Sequence, residues 1–451
     1  MLLCTIMAES KGVWEMKKIV MLVGSFLIVL SMLCGCEKKD DTLTTYKDDT
    51  LTVYVVQSEA LYADAVGKFA EEHSEVEMNI IYLESYDEVK ERLDTELMSG
   101  GGPDVLLFNS LYYAGDPYKL SVSRALLELD EQVEALPEGS YLDTIIRAGR
   151  IGGHQYFIPL SWNLPQAYST QEKAEKISES GDLYAALAAE ALALEGDEAY
   201  GASSLQLGRA DVLNLFLETS GSGLIDTENR EVSVEEEEFR RMADFVKVFY
   251  DNMEKTRTIA GRYQNDFAGA VAHFTWLLEN YSFMNNLRYY QTVYPKMVIE
   301  EMSFAPFERT DGDGLTVQVI QYGAVNANTR NAENAWKLLK YLMDAPMTVD
   351  FPKYETQSIY YAPVSAAVYE ESIEALSSKD GVGPGWPVKP LNEANAQLLL
   401  EIPGRIQEAV IPNAALGNLT QECMEPYFLG EDSFENCYDK MIQRMKLYLN
   451  E

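Results

Sequence analysis

The sequence predicts an α/β protein in which strands and helices alternate, and three observations indicate this class. Short β-branched and aromatic runs alternate with amphipathic patterns over residues 51–109, an order that builds a parallel sheet covered by helices. The run PDVLLFN at 103–109 is nearly all apolar, as expected of a strand buried on both faces. Beyond residue 50, about 400 residues remain, a length that predicts two domains.

The first five elements follow from hydrophobic periodicity. LTVYVV (51–56) and VEMNIIYL (76–83) predict strands, and the apolar stripe over 61–73 predicts a helix between them. The amphipathic pattern over 86–100 predicts a second helix, which glycines end before the strand at 103–109. Because strand and helix alternate, the strands are expected to run parallel.

The remaining elements are expected at wider spacing. QYFIPL (155–160) predicts an extended segment, and Pro159 fixes the backbone where the chain can pass between lobes. Helical sequence is expected mainly over 171–260 and again over 331–344 and 391–450, and strands over 268–280, 303–309 and 315–327.

Two glycine-containing motifs hint at ligand loops but fit turns better. Gly100-Gly101-Gly102-Pro103 lacks the lysine and Ser/Thr of a phosphate loop and precedes a strand, so it predicts a helix-to-strand turn. DGDG at 311–314 lacks a third ligand and the later glutamate of an EF-hand, so it predicts a hairpin turn.

The N-terminal segment has the features of a secretory signal. Two lysines precede an uncharged apolar run over 19–33, which is shorter than the roughly 20 residues of a membrane span. The following LCGC at 33–36 resembles the bacterial lipoprotein signal, in which a leucine lies three positions before the modified cysteine and a small residue just before it.

That resemblance implies a lipoprotein anchored at the outer face of the bacterial cell membrane. Residues 1–35 are then the signal peptide, Cys36 carries the lipid, and the polar residues 36–50 are a disordered tether. A plain signal peptide and a retained short anchor are the alternatives. Met16, which precedes the two lysines, is a more natural start than Met1.

Charge and composition exclude several partners. The 451 residues contain 72 acidic and 36 basic side chains, which gives a net charge of −36. Such a chain lacks the basic face that nucleic acid requires, and it is not attracted electrostatically to anionic lipid. Membrane attachment is therefore expected through the lipid anchor alone.

The cysteines and histidines do not predict a metal site or a cofactor. Cys423 and Cys437 are the cysteines that remain in the mature chain, and they form either a disulfide or two free thiols. His73, His154 and His273 have no Cys/His spacing typical of zinc sites, so no zinc site is expected.

Four segments together resemble the family 1 extracellular solute-binding proteins of ABC importers, the class that includes maltodextrin-binding protein. They are GGGPDVLLFN (100–109), IGGHQYFIPLSWN (151–163), YGAVNANTRNAENAWKLLKYLMD (322–344) and YYAPVSAAVYEE (360–371). Their order and spacing carry the resemblance, which covers about residues 50–450. One departure is Tyr361, which stands where the family usually has glycine before Pro-Val.

The resemblance implies a type II, two-lobed periplasmic-binding-protein-like fold with a ligand cleft between lobes that close by a hinge. The expected N-terminal lobe comprises 51–158 and 272–322, and the C-terminal lobe 159–271 and 323–451. The resemblance further implies a monomeric binding protein, not an enzyme, that delivers a solute to ABC permease subunits.

Candidate ligand-binding residues lie where strands end or cross between lobes, because ligands of open α/β sheets bind beyond the carboxyl ends of strands. Sugars pack their C–H faces on Trp and Tyr, and the planar polar groups of Asn, Gln, Asp and Glu bind their hydroxyls. The candidates are Ser58, Glu59, Asn109, Trp162, Asn163, Trp276, Tyr281, Tyr322 and Trp386. Each tryptophan could instead pack in a core, and Glu59 could cap a helix or face water.

A carbohydrate is the favoured solute, although peptide, polyol and phosphorylated ligands stay open. A strongly anionic ligand is disfavoured because the candidates include few basic residues. The competing functions are a lipoprotein that presents its ligand to a membrane kinase, and a secreted glycoside hydrolase with paired carboxylates.

Overall fold

The computed structural model describes most of the chain from Thr50 onward. The described residues are 50–113, 115–178, 224–248, 274–279, 302–306, 314–346, 348–351, 356–359, 361–378, 380–382 and 387–450, with short pieces at 186, 189, 192–193, 199–202, 213, 284, 287–288 and 291–292. The predicted signal peptide, Cys36, nearly all of the tether and 311–313 of the predicted hairpin turn lie outside them. Within the described residues, no helix combines the length and apolar character that crossing a bilayer requires.

The strands are numbered in chain order. They are β1 (Thr50–Val56), β2 (Glu77–Leu83), β3 (Val105–Asn109), β4 (Arg150–Ile151), β5 (His154–Gln155), β6 (Phe157–Asn163), β7 (Gln166–Thr170), β8 (Ala199–Ala202), β9 (Ile225–Asp226), β10 (Glu231–Val232), β11 (Phe274–Glu279), β12 (Met302–Pro306), β13 (Leu315–Val325), β14 (Thr348–Phe351), β15 (Thr356–Ile359), β16 (Ala362–Pro363), β17 (Gly381–Val382), β18 (Pro387–Val388) and β19 (Ile406–Val410).

The helices are numbered in the same way. They are α1 (Ala60–Glu72), α2 (Tyr86–Glu96), α3 (Pro117–Val122), α4 (Asp130–Glu134), α5 (Asp143–Arg147), α6 (Gln171–Ser178), α7 (236–248), α8 (Ala332–Met343), α9 (Ala366–Ser378), α10 (Glu393–Arg405), α11 (Ala414–Phe428) and α12 (Phe434–Asn450). A 3-10 turn, Leu97–Ser99, continues α2.

Among the described residues, seven strands form one sheet in the order β16-β6-β13-β3-β1-β2, with β19 paired to β13. β1 runs parallel to both β2 and β3, which confirms the parallel arrangement predicted for 51–109. β13 runs antiparallel to β3 and β6. The carboxyl ends of β1, β2 and β3 therefore meet at one edge of the sheet.

The boundaries of α2 show how local sequence sets this edge. The Ser85 side chain caps the helix by accepting from the Glu88 backbone N–H at 3.3 Å. The helix ends where Gly100 adopts a left-handed backbone with a φ of 76°, a conformation that glycine adopts without steric cost. The Asn326 side chain donates to the carbonyl oxygens of Gly101 and Pro103 at 2.9 and 3.0 Å. The glycine run is therefore the predicted helix-to-strand turn.

The sheet lies in a large hydrophobic core. All residues of β3, β6 and β13 are buried, and apolar residues of α1, α8 and α9 pack in the same core. Burying one large apolar side chain contributes roughly 1.5–3 kcal/mol. β1 and β3 are fully buried in this core, whereas β2 lies at its edge and is largely half-buried.

A second sheet has the strand order β12-β7-β11-β8 among the described residues. A second core packs α7 against α11 and α12, and it contains Phe239, Met424 and Met441. Cys423 and Cys437 are buried there as free thiols. Of the two alternatives left open by the sequence, the structure has the unbridged pair.

The expected lobe bounds stay predictions, and the structure gives only the sheet or core that each element joins. β11 and β12, within the 272–322 expected in the N-terminal lobe, belong to the second sheet. α8 and α9, within the 323–451 expected in the C-terminal lobe, pack in the first core. β19 is a strand inside 391–450, which was expected to be helical. Strand and helix patterns in the sequence do not reveal which sheet an element joins. Residues 406–410 form the strand β19 because they pair with β13.

Candidate functional site

A pocket of about 610 Å³ opens beside the carboxyl ends of β1 and β2. Its lining comes from the β1–α1 turn, the β2–α2 turn, the loop after β3 and the residue before β16. The lining residues are Ser58, Glu59, Ala60, Leu61, Glu84, Ser85, Tyr86, Asp87, Tyr112 and Tyr361. The volume lies within the roughly 300–1,000 Å³ typical of small-molecule sites, and the position is the one expected of ligands in open α/β sheets.

Glu59 forms the buried acidic part of this pocket. It is 7 % exposed, and its carboxylate accepts from Asn109 Nδ2 at 3.2 Å and from Gln321 Nε2 at 3.5 Å. It precedes α1 without capping that helix through its side chain. Burial raises the pKa of the Glu59 carboxyl, and the two amide hydrogen bonds partly oppose that rise. The solvent-facing alternative for Glu59 is therefore wrong. Glu59 is the N-cap residue of α1, but its carboxylate binds Asn109 and Gln321 and not the helix N-terminus.

A buried polar network extends from Glu59 into the sheet. The Gln321 backbone N–H donates to Ser161 Oγ at 3.2 Å, and Ser161 Oγ donates to Gln321 Oε1 at 3.2 Å. The pairing of β13 with β6 is irregular on both sides of Gln321. The Leu111 backbone N–H donates to Asn109 Oδ1 at 3.0 Å. The network thus ties the pocket to β3, β6 and β13 and holds Glu59 in one orientation.

Tyrosines form the aromatic wall of the pocket. Tyr112 is 56 % exposed and stacks on Tyr86, with ring centroids 6.4 Å apart and an interplanar angle of 14°. Tyr86 is 5 % exposed, and its hydroxyl has no hydrogen-bond partner among the described residues. Leaving a buried polar group unpaired costs roughly 1–3 kcal/mol. A ligand that offers this hydroxyl a hydrogen bond removes that cost.

Charge in the pocket has one sign. Its charged lining residues are Glu59, Glu84 and Asp87, and no lysine or arginine belongs to the described lining. Burial and the charge of Glu59 hold the pKa of the Tyr86 hydroxyl well above its usual value, so Tyr86 stays neutral. The pocket therefore offers carboxylate acceptors and neutral hydroxyls, which suit ligand hydroxyl groups and disfavour anions.

The structure corrects the positions expected for two aromatic candidates. Trp162 is 0 % exposed, its indole N–H donates to the Pro363 carbonyl oxygen at 2.9 Å, and its ring stacks on Tyr369 at 5.5 Å. Tyr322 is buried between Phe108 and Phe157, with ring centroids 5.1 and 5.4 Å away. Both are core residues because strands distant in the chain cover them: β16 pairs with β6 at Trp162, and β3 and β6 flank β13 at Tyr322.

The other candidates divide into three groups. Ser58 and Glu59 line the pocket, and Asn109 lies beneath it as a partner of Glu59. Asn163 is buried in β6 and does not line this pocket. The side chains of Trp276, Tyr281 and Trp386 lie outside the described part of the structure.

Sequence reasoning missed Tyr86, Tyr112 and Tyr361. Tyr86 had a signal, because residues 84–87 follow the carboxyl end of β2, the position at which ligands of open α/β sheets bind. Tyr361 had a signal, because it replaces the glycine usual in the resembling family. Tyr112 had none, since tyrosine is abundant in this chain with 28 residues.

A second cavity of about 220 Å³ lies between β19, α3 and the start of α11. Its lining is mainly apolar but also includes Arg150, Thr227, Glu408 and Asn413. The Asn413 side chain caps α11 by accepting from the Ala415 and Leu416 backbone N–H groups. This cavity does not lie at the carboxyl end of β1, β2 or β3. The pocket beside β1 and β2 therefore remains the candidate site.

Comparison with protein families gives a match over more than half of the chain. Residues 64–380 match the family described as bacterial extracellular solute-binding protein. No curated protein matches the chain in sequence.

Solved structures share the fold at low sequence identity. The sugar-binding protein MalE of Xanthomonas citri has a TM-score of 0.59 and 13 % identity, with 89 % of this chain and 97 % of that chain covered. The GacH receptor of Streptomyces glaucescens GLA.O has a TM-score of 0.55 and 17 % identity, covering 90 % and 100 %. A family 1 extracellular solute-binding protein of Alicyclobacillus acidocaldarius has a TM-score of 0.55 and 14 % identity, covering 89 % and 98 %. The chain therefore has the expected two-lobed periplasmic-binding-protein-like fold.

Proposed function

We propose that this chain, which belongs to the bacterial extracellular solute-binding protein family, binds a carbohydrate in the pocket beside β1 and β2 and delivers it to the permease subunits of an ABC importer. The observation that carries the proposal is the buried, unpaired hydroxyl of Tyr86 in a pocket that also presents an exposed tyrosine ring and a buried carboxylate. Ser58, Glu59 and Tyr112 join Tyr86 as proposed ligand contacts.

The chemistry of the pocket suits a sugar better than an apolar or anionic ligand. The face of Tyr112 can pack on sugar C–H groups. Glu59, Glu84 and Asp87 can accept hydrogen bonds from sugar hydroxyls, and the Tyr86 hydroxyl can pair with one of them. These side chains support the binding of a sugar rather than its hydrolysis.

Proteins of the same fold support a carbohydrate ligand. MalE of X. citri is a sugar-binding protein, and the GacH receptor was solved in complex with acarbose. The lipid on Cys36, the location at the outer face of the cell membrane and the monomeric state are parts of the same proposal.

Ligand-dependent stabilisation tests the proposal. The chain from residue 37 onward is heated with a panel of sugars, polyols, amino acids and short peptides. A ligand at a hundred times its Kd stabilises the folded state by about 2.7 kcal/mol, which raises Tm by a few degrees. We expect one class of sugars to do so, with a smaller shift in Tyr86→Phe.

Other outcomes have distinct meanings. If only peptides or amino acids raise Tm, the ligand is of that class and not a carbohydrate. If a sugar raises the Tm of Tyr86→Phe as much as that of the unmodified chain, the sugar binds outside this pocket. The anchor is tested separately, since Cys36→Ser should release the protein from the membrane fraction without changing its affinity for the sugar.

A further inference from the structure

We propose that Glu128, Asp130 and His154 form a site for one borderline divalent cation such as Zn²⁺ on the surface of the first lobe. Glu128 and Asp130 flank the start of α4, and His154 lies in the β4–β5 hairpin. The three side chains share no residue with the pocket beside β1 and β2. The site is therefore independent of the proposed sugar binding.

The donor atoms are spaced as a metal requires. His154 Nδ1 lies 3.1 Å from Asp130 Oδ2 and 3.8 Å from Glu128 Oε2. All three donor atoms lie within 4.8 Å of one another. Tetrahedral zinc with bonds of about 2.1 Å separates its ligand atoms by roughly 3.4 Å, a value between the two measured separations.

The second oxygen of each carboxylate is already occupied. Asp130 Oδ1 accepts from the Gln155 backbone N–H at 3.1 Å. Glu128 Oε1 accepts from the Tyr156 hydroxyl at 3.2 Å. These bonds leave Oδ2 and Oε2 directed at the same imidazole nitrogen. Outer hydrogen bonds that orient ligating carboxylates in this way are typical of built metal sites.

The backbone holds the two contributing segments together. The Leu129 N–H, between the two acidic residues, donates to the Gln155 carbonyl oxygen at 2.8 Å. Residue 155 follows His154 directly and pairs with Arg150 in the hairpin. Because these bonds join the α4 start to the hairpin, the three donors are positioned before any cation binds.

The donor set favours a borderline cation. One imidazole with two carboxylates suits Zn²⁺ and similar transition metals, whereas Ca²⁺ and Mg²⁺ prefer oxygen ligands alone. Three protein ligands also leave a position for water or an external ligand. The chain contains a matched control, since among the described residues the one carboxylate that pairs with His73 Nδ1 is Glu75, with Oε1 at 3.3 Å.

Calorimetric titration of the chain from residue 37 onward with ZnCl₂ tests the site, without sugar present. We expect one Zn²⁺ bound per chain, with affinity lowered at least tenfold in His154→Ala and in Asp130→Asn and unchanged in His73→Ala. Tyr156→Phe, which frees Glu128 but removes no ligand, should weaken binding about tenfold. Circular dichroism verifies that each variant is folded.

Two results would overturn the proposal. One is Zn²⁺ binding that His154→Ala and Asp130→Asn leave unchanged, which would place the cation elsewhere on this acidic chain. The other is the absence of binding by the unmodified chain at millimolar ZnCl₂, which would leave the cluster as a histidine–carboxylate ion pair.

Discussion

Trp162 and Tyr86 are both buried aromatic residues near the ends of strands, but their surroundings differ in one respect. The indole N–H of Trp162 donates to Pro363, and its ring is stacked on Tyr369. The hydroxyl of Tyr86 has no partner among the described residues, and its ring stacks on the exposed Tyr112. Satisfied polar atoms indicate a core, whereas a buried unpaired one beside a pocket indicates a binding site.

Removing the Trp162 ring should produce the largest effect on stability. Trp162→Ala is expected to lower the free energy of unfolding by about 3–5 kcal/mol, because a fully packed indole is replaced by a cavity. Urea unfolding measures the loss, and the partly buried Trp336→Ala should lose less. Sugar affinity of the folded variant should be unchanged. A stable Trp162→Ala protein that has lost its sugar would contradict the comparison.

Removing the Tyr112 ring should act on binding and leave stability nearly intact. Tyr112→Ala is expected to cost about 1.5 kcal/mol of binding free energy, roughly tenfold in Kd, through the loss of an aromatic face for the sugar. Tyr82 is a matched control because it is 48 % exposed and does not line the pocket. Equal effects of Tyr112→Ala and Tyr82→Ala in calorimetry would show that the stacked pair does not contact the sugar.

Removing the hydroxyl of Tyr86 or of Tyr369 should distinguish a residue of the binding site from a residue of the core. Tyr86→Phe should weaken sugar binding by about 1 kcal/mol, roughly fivefold, while leaving stability unchanged or slightly higher. The Tyr369 hydroxyl donates to the Leu399 carbonyl oxygen at 2.8 Å, so Tyr369→Phe should lower stability by about 1 kcal/mol and leave binding unchanged. A loss of stability in Tyr86→Phe would mean that its hydroxyl is already paired.

The pH dependence of the free energy of unfolding tests whether Glu59 is buried in the folded state. Burial raises the pKa of Glu59 in the folded state, whereas the unfolded carboxyl titrates near about 4.3. Between these two values the folded state binds more protons, so its stability falls as pH rises through that window. Glu59→Gln should flatten this slope in urea unfolding measured from about pH 4 to neutrality. An unchanged slope would place its source in other carboxyls.

Much of the first lobe could be predicted from sequence. The strands at 51–56, 76–83 and 103–109 and the helix at 61–73 appear within two residues of their predicted bounds, since period and turn chemistry are local properties. The helix predicted over 86–100 ends as an α-helix at Glu96 and continues as a 3-10 turn to Ser99. Ser58 and Glu59 followed from the strand-end rule. Those predictions needed no knowledge of distant contacts.

The misplaced residues all depended on distant partners. The sequence predicts Trp162 in the cleft, but β16, some 200 residues later in the chain, pairs with β6 there, and the Pro363 carbonyl oxygen accepts a hydrogen bond from the indole N–H. The IQEAV segment of β19 became a strand through pairing with β13. Tyr112 lines the candidate pocket and stacks on Tyr86, a contact that spacing along the chain does not encode.

The sequence by itself determined the α/β class, the parallel order of the first strands and the acidic character of the chain, and it predicted the edge of the sheet at which the candidate pocket lies. These follow from periodicity, composition and the geometry of parallel strands. Only the tertiary structure decided which aromatic residues face the pocket and which are packed away. Burial and hydrogen-bond satisfaction depend on segments that are far apart in the chain and meet only after folding.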